Sequence, residues 1–500
     1  KMKRLVMTIV LSAAVATLWA QRFDYVERRN GWNGGANAAG LRRDSISLSY
    51  AEVYAVKSGG EFVDFSSSSD SWNAGARTKS ILHFGRVSFA GGFGYDYFDG
   101  RDMCGSMFTK PGFYPFDILE FTPGRKIRET YDLDGRAAIS FGRGWTGGLA
   151  ADFEASNYAK RKDLRHSNRR LDFGVAPSLL YARGDFAIGA AYLFRKDAER
   201  VTADEIGSTP DSYEAFFDKG LAFGVGELWT GSGIHLDESG VSGFPVSEII
   251  HGASLQSQWH RLYAEAKFRY GHGHTGERGV EWHDFDSRGV ELRVSAWFGP
   301  ETDVHFVRLA ASWTERRNRE NVLGKQTVNG VTETYIYGSN TIYTERTVRV
   351  KAEYEYACAR TDLRAGAEVL LTDGLSSLMY PYAYGRKMYR TVLYADNRLT
   401  AGRFEILASV RFSWGGSSQY DASTTSAADA GDYPERLTQY YEYATEYFTA
   451  GRIETGAGVR CNVAKGIYVE ASGMWRHGFR LRYIGGSEAY MAILKVGYSF

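Results

Sequence analysis

Cysteine is scarce in this chain, 3 in 500 residues, and the three share no common pattern. Cys104 lies in a polar, glycine-containing stretch, while Cys358 and Cys461 end two alternating segments. No C-x-x-C occurs and an odd count leaves at least one thiol free, so neither a disulfide framework nor a thiolate metal site is indicated. Proline is sparse as well, 9 residues where ~5% of the chain is usual, and disorder would enrich it. An excess of one charge is also missing. Lys+Arg number 60 and Asp+Glu 59, a net of +1, which offers no basic surface to nucleic acid. After residue 20 no apolar run approaches ~18 residues, so a bundle of transmembrane helices is excluded. Neither G-x-S-x-G nor H-E-x-x-H is present, and no enzyme and no cofactor are expected.

What the chain has in quantity is glycine (57), tyrosine (33) and phenylalanine (29), with aromatics at 15%. High glycine with few prolines and many rings points to a β protein. Lys1, Lys3 and Arg4 followed by the apolar segment from Leu5 to Trp19 and a small residue at Ala20 read as a secretory signal peptide over 1–20. Residues 21–43, with Arg28, Arg29, Arg42 and Arg43, are expected to form an N-terminal periplasmic or luminal segment. A plug domain of the TonB-dependent type is not expected, since so few residues precede the first strand.

Period-two alternation runs through residues 44–500. Phe404, Ile406, Ala408, Val410, Phe412 and Trp414 share one face, and Glu405 and Arg411 lie on the other. Val348, Val350, Ala352, Tyr354 and Tyr356 oppose Arg349, Lys351, Glu353 and Glu355. Val290, Leu292 and Val294 oppose Glu291 and Arg293, and Ala266 and Phe268 oppose Lys267 and Arg269.

A soluble sandwich would give the same pattern, and connection length decides between the two. Short breaks near 84–86, 142–144, 182–185, 259–261, 299–303, 359–361, 399–403 and 462–466 alternate with long polar stretches near 58–71, 99–125, 159–168, 195–249, 274–285, 317–341, 373–386, 417–438 and 477–486. This predicts an all-β fold, a transmembrane antiparallel β-barrel of about 18 strands with short periplasmic turns and long extracellular loops. Aromatic residues at strand ends, as in Phe186 to Phe194, suit girdles at the membrane interfaces. Tyr490, Ala492, Leu494, Val496, Tyr498 and Phe500 alternate up to a final aromatic ring. Val496, Tyr498 and Phe500 are expected to serve as a membrane-insertion signal for the barrel assembly machinery.

The non-lipid face is expected to line the lumen with Lys267, Arg269, Glu291, Arg293, Arg349, Lys351, Glu353, Glu355, Glu405 and Arg411. Counting neighbouring segments, including Glu442 and Glu446, the two signs balance and no net field is expected along the pore. His272, His274 and His283 gather around one external segment beside Asp284 and are weak metal candidates. Gly271 and Gly273 make that segment a solvated turn, so no metal is expected.

Three stretches carry a resemblance: WNGGANAAGL at 32–41 with SLSYAEVYAVKSGGEF at 47–62, KPGFYPFDIL at 110–119 after GGFGYDYFDG at 91–100, and AKRKDLRHSN at 159–168. In these, and in length and final aromatic residue, the mature chain resembles an uncharacterised family of outer-membrane β-barrel proteins from Bacteroidota. The resemblance implies location in the outer membrane of a Gram-negative bacterium and association with surface nutrient-uptake systems, and it supplies no catalytic residues. The expected surroundings are outer-membrane lipid and lipopolysaccharide, with a surface uptake protein as partner. The function read from all this is an accessory or scaffold barrel that docks its partner through long loops such as 195–249 and 417–438, which carry Tyr213, Phe216, Phe217, Trp229 and Tyr433. The alternative is a general diffusion porin for small polar solutes.

Overall fold

The computed structural model describes residues 23–162, 164–204, 215–220, 226–229, 243–277, 280–300, 302–377, 383–421 and 435–500. The expected signal peptide lies outside the described residues, as do Tyr213, Tyr433 and the side chain of Trp229. In chain order the first seven strands are β1 (Leu48–Gly60), β2 (Asp70–Phe84), β3 (Val87–Ser106), β4 (Asp117–Gly142), β5 (Trp145–Lys160), β6 (Arg165–Arg183) and β7 (Phe186–Asp204). A small hairpin follows, β8 (Ala215–Asp218) and β9 (Gly226–Trp229), and then β10 (Phe244–Trp259), β11 (Leu262–Glu277), β12 (Val280–Phe298), β13 (Asp303–Val328) and β14 (Val331–Cys358). The sheet continues through β15 (Thr361–Ser376), β16 (Tyr384–Ala401), β17 (Phe404–Asp421), β18 (Gly451–Ala464), β19 (Ile467–Phe479) and β20 (Glu488–Ser499).

Each long strand pairs antiparallel with its sequence neighbour, β7 pairs with β10, and β20 returns to β1 with Tyr50 opposite Ser499. Setting aside β8 and β9, the result is a closed antiparallel barrel of 18 strands. Closure leaves no edge strand, which is the condition for a sheet to cross a membrane. No described helix is long and apolar enough to do so. The eight short turns fall where the breaks in alternation place them. Gly85, Gly144, Gly184, Gly402 and Gly466 take positive φ in five of them, a conformation that costs glycine nothing.

The outer surface is apolar. Phe404, Ile406, Val410, Phe412 and Trp414 of β17, and Leu262, Phe268 and Tyr270 of β11, are all exposed. In water such a continuous belt would be unstable; facing lipid it is what a barrel requires. Val496, Tyr498 and Phe500 belong to this belt, beside the seam where β20 meets β1, and the rings of Tyr498 and Phe500 stack at 5.6 Å.

Several external connections are shorter than the polar stretches predict, because the strands continue past the membrane as paired ribbons. In place of the loop expected at 317–341, β13 and β14 stay paired, through register shifts at Asn318/Arg319 and Val322/Leu323, up to Val328 opposite Val331, closed by Asn329 and Gly330 at φ 54° and 80°. Two consecutive positive φ angles at Asn-Gly form the tight turn that suits strand twist. In place of 274–285, β11 and β12 likewise run to Glu277 and Val280. Beyond the bilayer neither face of a strand needs to be apolar, so alternation fades while backbone pairing persists.

Candidate functional site in the lumen

The inward face of the barrel is a network of ion pairs. Glu291 on β12 is shared by Lys267 at 4.0 Å, Arg269 at 3.8 Å and Arg293. Arg349 meets Glu368 at 2.9 Å, and Glu353 takes Lys351 at 3.1 Å and Arg308 at 3.1 Å. Glu405 lies 3.7 Å from Arg398, and Arg411 sits opposite Glu454 in the β17–β18 register. Directly paired residues share a face, so these charges all oppose the apolar belt. The ten residues expected at the lumen stand on strand faces opposite the exposed apolar residues.

Glu355 anchors the lower end. It is fully buried, accepting from Arg28 Nε at 3.0 Å, Arg29 Nε at 2.7 Å and Arg308 Nη1 at 2.7 Å. Asp362 on β15 accepts from the same two arginines at 3.2 and 2.9 Å. Arg28 and Arg29 end helix α1 (Phe23–Arg29), which leads into α2 (Gly31–Gly34) and a 3-10 helix at Ala38–Arg43. This segment lies inside the lumen. Trp32 Nε1 donates to Gln258 at 2.6 Å on β10, and Asn37 donates to Gln256 at 3.1 Å and to the Leu179 carbonyl at 3.1 Å. Arg136 of β4 donates to the Asn33 carbonyl at 2.6 Å, and Arg42 to Ser88 of β3 at 3.0 Å. Gly148 and Gly189 let it sit flush. A Cβ at Gly148 would overlap the backbone nitrogen of Ala39, and one at Gly189 the side chain of Asn37. Residues 23–44 thus form a floor bonded to β3, β4, β6, β10, β14 and β15.

The upper end is closed by residues 107–116, which turn inward rather than out. Thr109 donates through its backbone N–H and hydroxyl to Glu199 of β7, both at 2.8 Å. Asn168 of β6 donates to the Met107 carbonyl at 2.6 Å and to Glu199 at 2.7 Å. Arg316 of β13 donates to the Gly112 and Phe113 carbonyls at 2.8 Å. Phe108, Tyr114 and Phe116 pack with Phe217 of β8, Phe244 of β10 and Phe285 of β12 into one buried aromatic cluster. Hairpin β8 pairs with the top of β4, Asp117 opposite Asp218.

Helix α3 (Glu435–Thr449) completes the cap. Leu437 and Tyr441 pack on Leu119 and Phe216, and Glu446 accepts the backbone N–H groups of Tyr483 and Ile484 at 2.7 and 2.8 Å. Glu442 and Glu446, expected on a lumen-facing strand, are on this helix instead. The tyrosine repeat of ERLTQYYEYATEYFT has helical spacing, a signal that alternation alone passes over. Burial, and then the nearby Asp117, Asp64 and Asp218, push the Tyr440 hydroxyl well above its ordinary value.

The three histidines do not converge. His272 and His274 stand opposite Asp286 and Asp284 in the β11–β12 register, whereas His283 pairs with Thr275 and so faces the other way. His283 is buried in the cap between the rings of Phe116 and Phe217, at 6.3 and 5.1 Å. Among the described residues no group of His, Cys, Asp and Glu is arranged to hold a metal. All three cysteines are free thiols.

No curated protein matches the sequence. Solved structures similar in fold include the ferric preacinetobactin receptor BauA from Acinetobacter baumannii, 8% identical over 91% of this chain and 80% of that one, at a TM-score of 0.42. The RagAB peptide transporter is 8% identical over 91% and 75%, at 0.41. The copper transporter OprC is 8% identical over 90% and 80%, at 0.40. What those proteins carry is a property of theirs. Residues 38–500, from inside the floor to the last strand, match a single family, and the chain belongs to it: DUF6850, a family of unknown function.

Proposed function

We propose that this protein is an outer-membrane barrel that takes part in nutrient uptake as an accessory or scaffold barrel, closed at rest and docking a partner uptake protein at its external rim. The observation that carries the reading is the double closure of the lumen by the floor at 23–44 and the cap at 107–116. A general diffusion porin keeps a water-filled path, and here the chain's own segments fill both ends. A barrel of this width built only to anchor something would not need a polar, ion-paired wall, which supports a role connected with solutes.

Docking is supported by the tallest hairpin. Beyond the apolar belt, β14 exposes Tyr335, Ile336 and Tyr337 together, at 46%, 42% and 66%. An exposed aromatic group on a ribbon standing clear of lipid suits protein contact, since tyrosine supplies area at small entropic cost. The test is affinity isolation from outer membranes after crosslinking, with the wild-type chain and with Tyr335→Ser/Tyr337→Ser. A defined partner captured by the wild type and reduced at least tenfold in the variant is expected. Equal capture by both, with the barrel equally assembled, would contradict docking at this hairpin. Isolation of the wild type with no partner at all would remove the scaffold reading and favour the porin.

A further inference from the structure

Between floor and cap lies a chamber whose character was not visible from the charge balance of the wall. Strand β13 traces it from bottom to top through its inward residues. Phe306 and Arg308 belong to the floor, the Phe306 ring lying 5.8 Å from the Arg29 guanidinium, and Arg316 belongs to the cap. The residues between them, Ala310, Ser312 and Thr314, are small. The partners of the first two on both neighbouring strands are long: Ala310 stands opposite Arg293 on β12 and Lys351 on β14, and Ser312 opposite Glu291 and Arg349, while Thr314 stands opposite Gly289 and Thr347. Short side chains flanked by long ones leave a recess of about 520 Å³, lined by Lys267, Arg269, Arg293, Arg349 and Lys351 with Glu291 the only acid among its lining residues.

Each of these cations has a carboxylate partner, so a count of charges finds near balance. Position differs. The carboxylates lie in the wall, with side-chain exposures of 2% for Glu265, 25% for Glu291, 5% for Glu353 and 15% for Glu368. The guanidinium groups project into the void, at 52% for Arg269, 45% for Arg293 and 56% for Arg349. A solute entering the chamber therefore meets cations first. Three arginines from β11, β12 and β14 present planar donor forks, which suit carboxylate, phosphate or sulfate oxygens in pairs. The hydroxyls of Ser312 and Thr314 add neutral donors at the back of the recess.

We infer that this chamber is a binding site for a small polyanion, one bearing two or more carboxylate, phosphate or sulfate groups. The inference stands apart from docking: a purified chain either holds an anion here or does not, whatever happens at the external hairpin. It also gives the closed barrel a cargo class. Cap and floor limit the rate of entry and leave the equilibrium unchanged, so the measurement has to be run to equilibrium.

The experiment is equilibrium dialysis of the full chain in detergent at low salt against labelled citrate, pyrophosphate and a disulfated disaccharide in separate arms, with glucose and spermidine as controls. Saturable binding of at least one anion and of neither control is expected, and the arm that binds names the acid group. Arg293→Gln/Arg349→Gln should weaken that binding at least tenfold, and Arg293→Lys/Arg349→Lys, which keeps the charge and loses the planar fork, should weaken it less. Ser312→Glu removes no ion pair yet places a carboxylate in the recess, and should abolish binding in a barrel whose heat-modifiable migration is normal. Absence of saturable binding for all three anions, or equal binding in Ser312→Glu, overturns the inference.

Discussion

Replacing Arg28 and Arg29 together with alanine is expected to release the floor from the barrel. Glu355 is fully buried and Asp362 nearly so, and each takes a hydrogen bond from both arginines. Removing one side of a buried pair costs about 3–5 kcal/mol, because the remaining charge keeps its desolvation penalty. Here Arg308 and Arg398 stay close to the two carboxylates, and Arg28 and Arg29 are partly exposed, so the lower end of that range applies. The floor is a short segment whose buried apolar side chains, Phe23, Val26, Trp32 and Leu41 with two alanines, supply only part of its attachment. A loss of about 3 kcal/mol corresponds to roughly a hundredfold rise in the detached population. Limited proteolysis should then cut within 23–44 in the variant and leave the barrel strands whole. Protection equal to wild type would mean that the floor's remaining bonds to β3, β4, β6 and β10 suffice to hold it.

The second large effect is expected at Phe116. Its ring is fully buried and sits 5.4 to 6.0 Å from those of Phe108, Tyr114, Phe217, Phe244 and Phe285. Phe116→Ala should leave a cavity and cost about 3–5 kcal/mol. That loss falls on the cap and spares the barrel, whose backbone pairing does not pass through residue 116. Local opening depends on local stability, so hydrogen exchange of 107–118 should accelerate on the order of a hundredfold or more while exchange in β16 to β20 stays unchanged. Uniform acceleration across the barrel would show instead that cap and strands unfold as one unit.

These segments show what could be read from the residues and what could not. Alternation in 404–414 and 348–356 exposes a barrel strand because lipid on one side and water on the other enforce it residue by residue. Turns at 85–86 and 184–185 are legible because glycine accepts the conformation they need. The ribbon of β13 and β14 above the membrane is not visible through alternation, although the Asn329–Gly330 pair signals it. Residues 21–43 read equally as a periplasmic or a luminal segment, because the partners of Arg28 are 327 and 334 residues away and a single sequence does not disclose such pairings. Helix α3 was within reach, through the spacing of Leu437 and Tyr441, once a period other than two is considered. The cationic chamber was hidden by arithmetic. Charges that cancel in number do not cancel in position when one sign is in the wall and the other faces the void.

Closure at rest is the central claim, and planar bilayer recording of the unmodified protein tests it most directly. The floor and cap should hold steady conductance near baseline, whereas the same protein carrying Arg28→Ala/Arg29→Ala and Phe116→Ala should show frequent openings. Large, stable, unselective openings from the unmodified barrel would contradict the claim and make a general diffusion porin the better account.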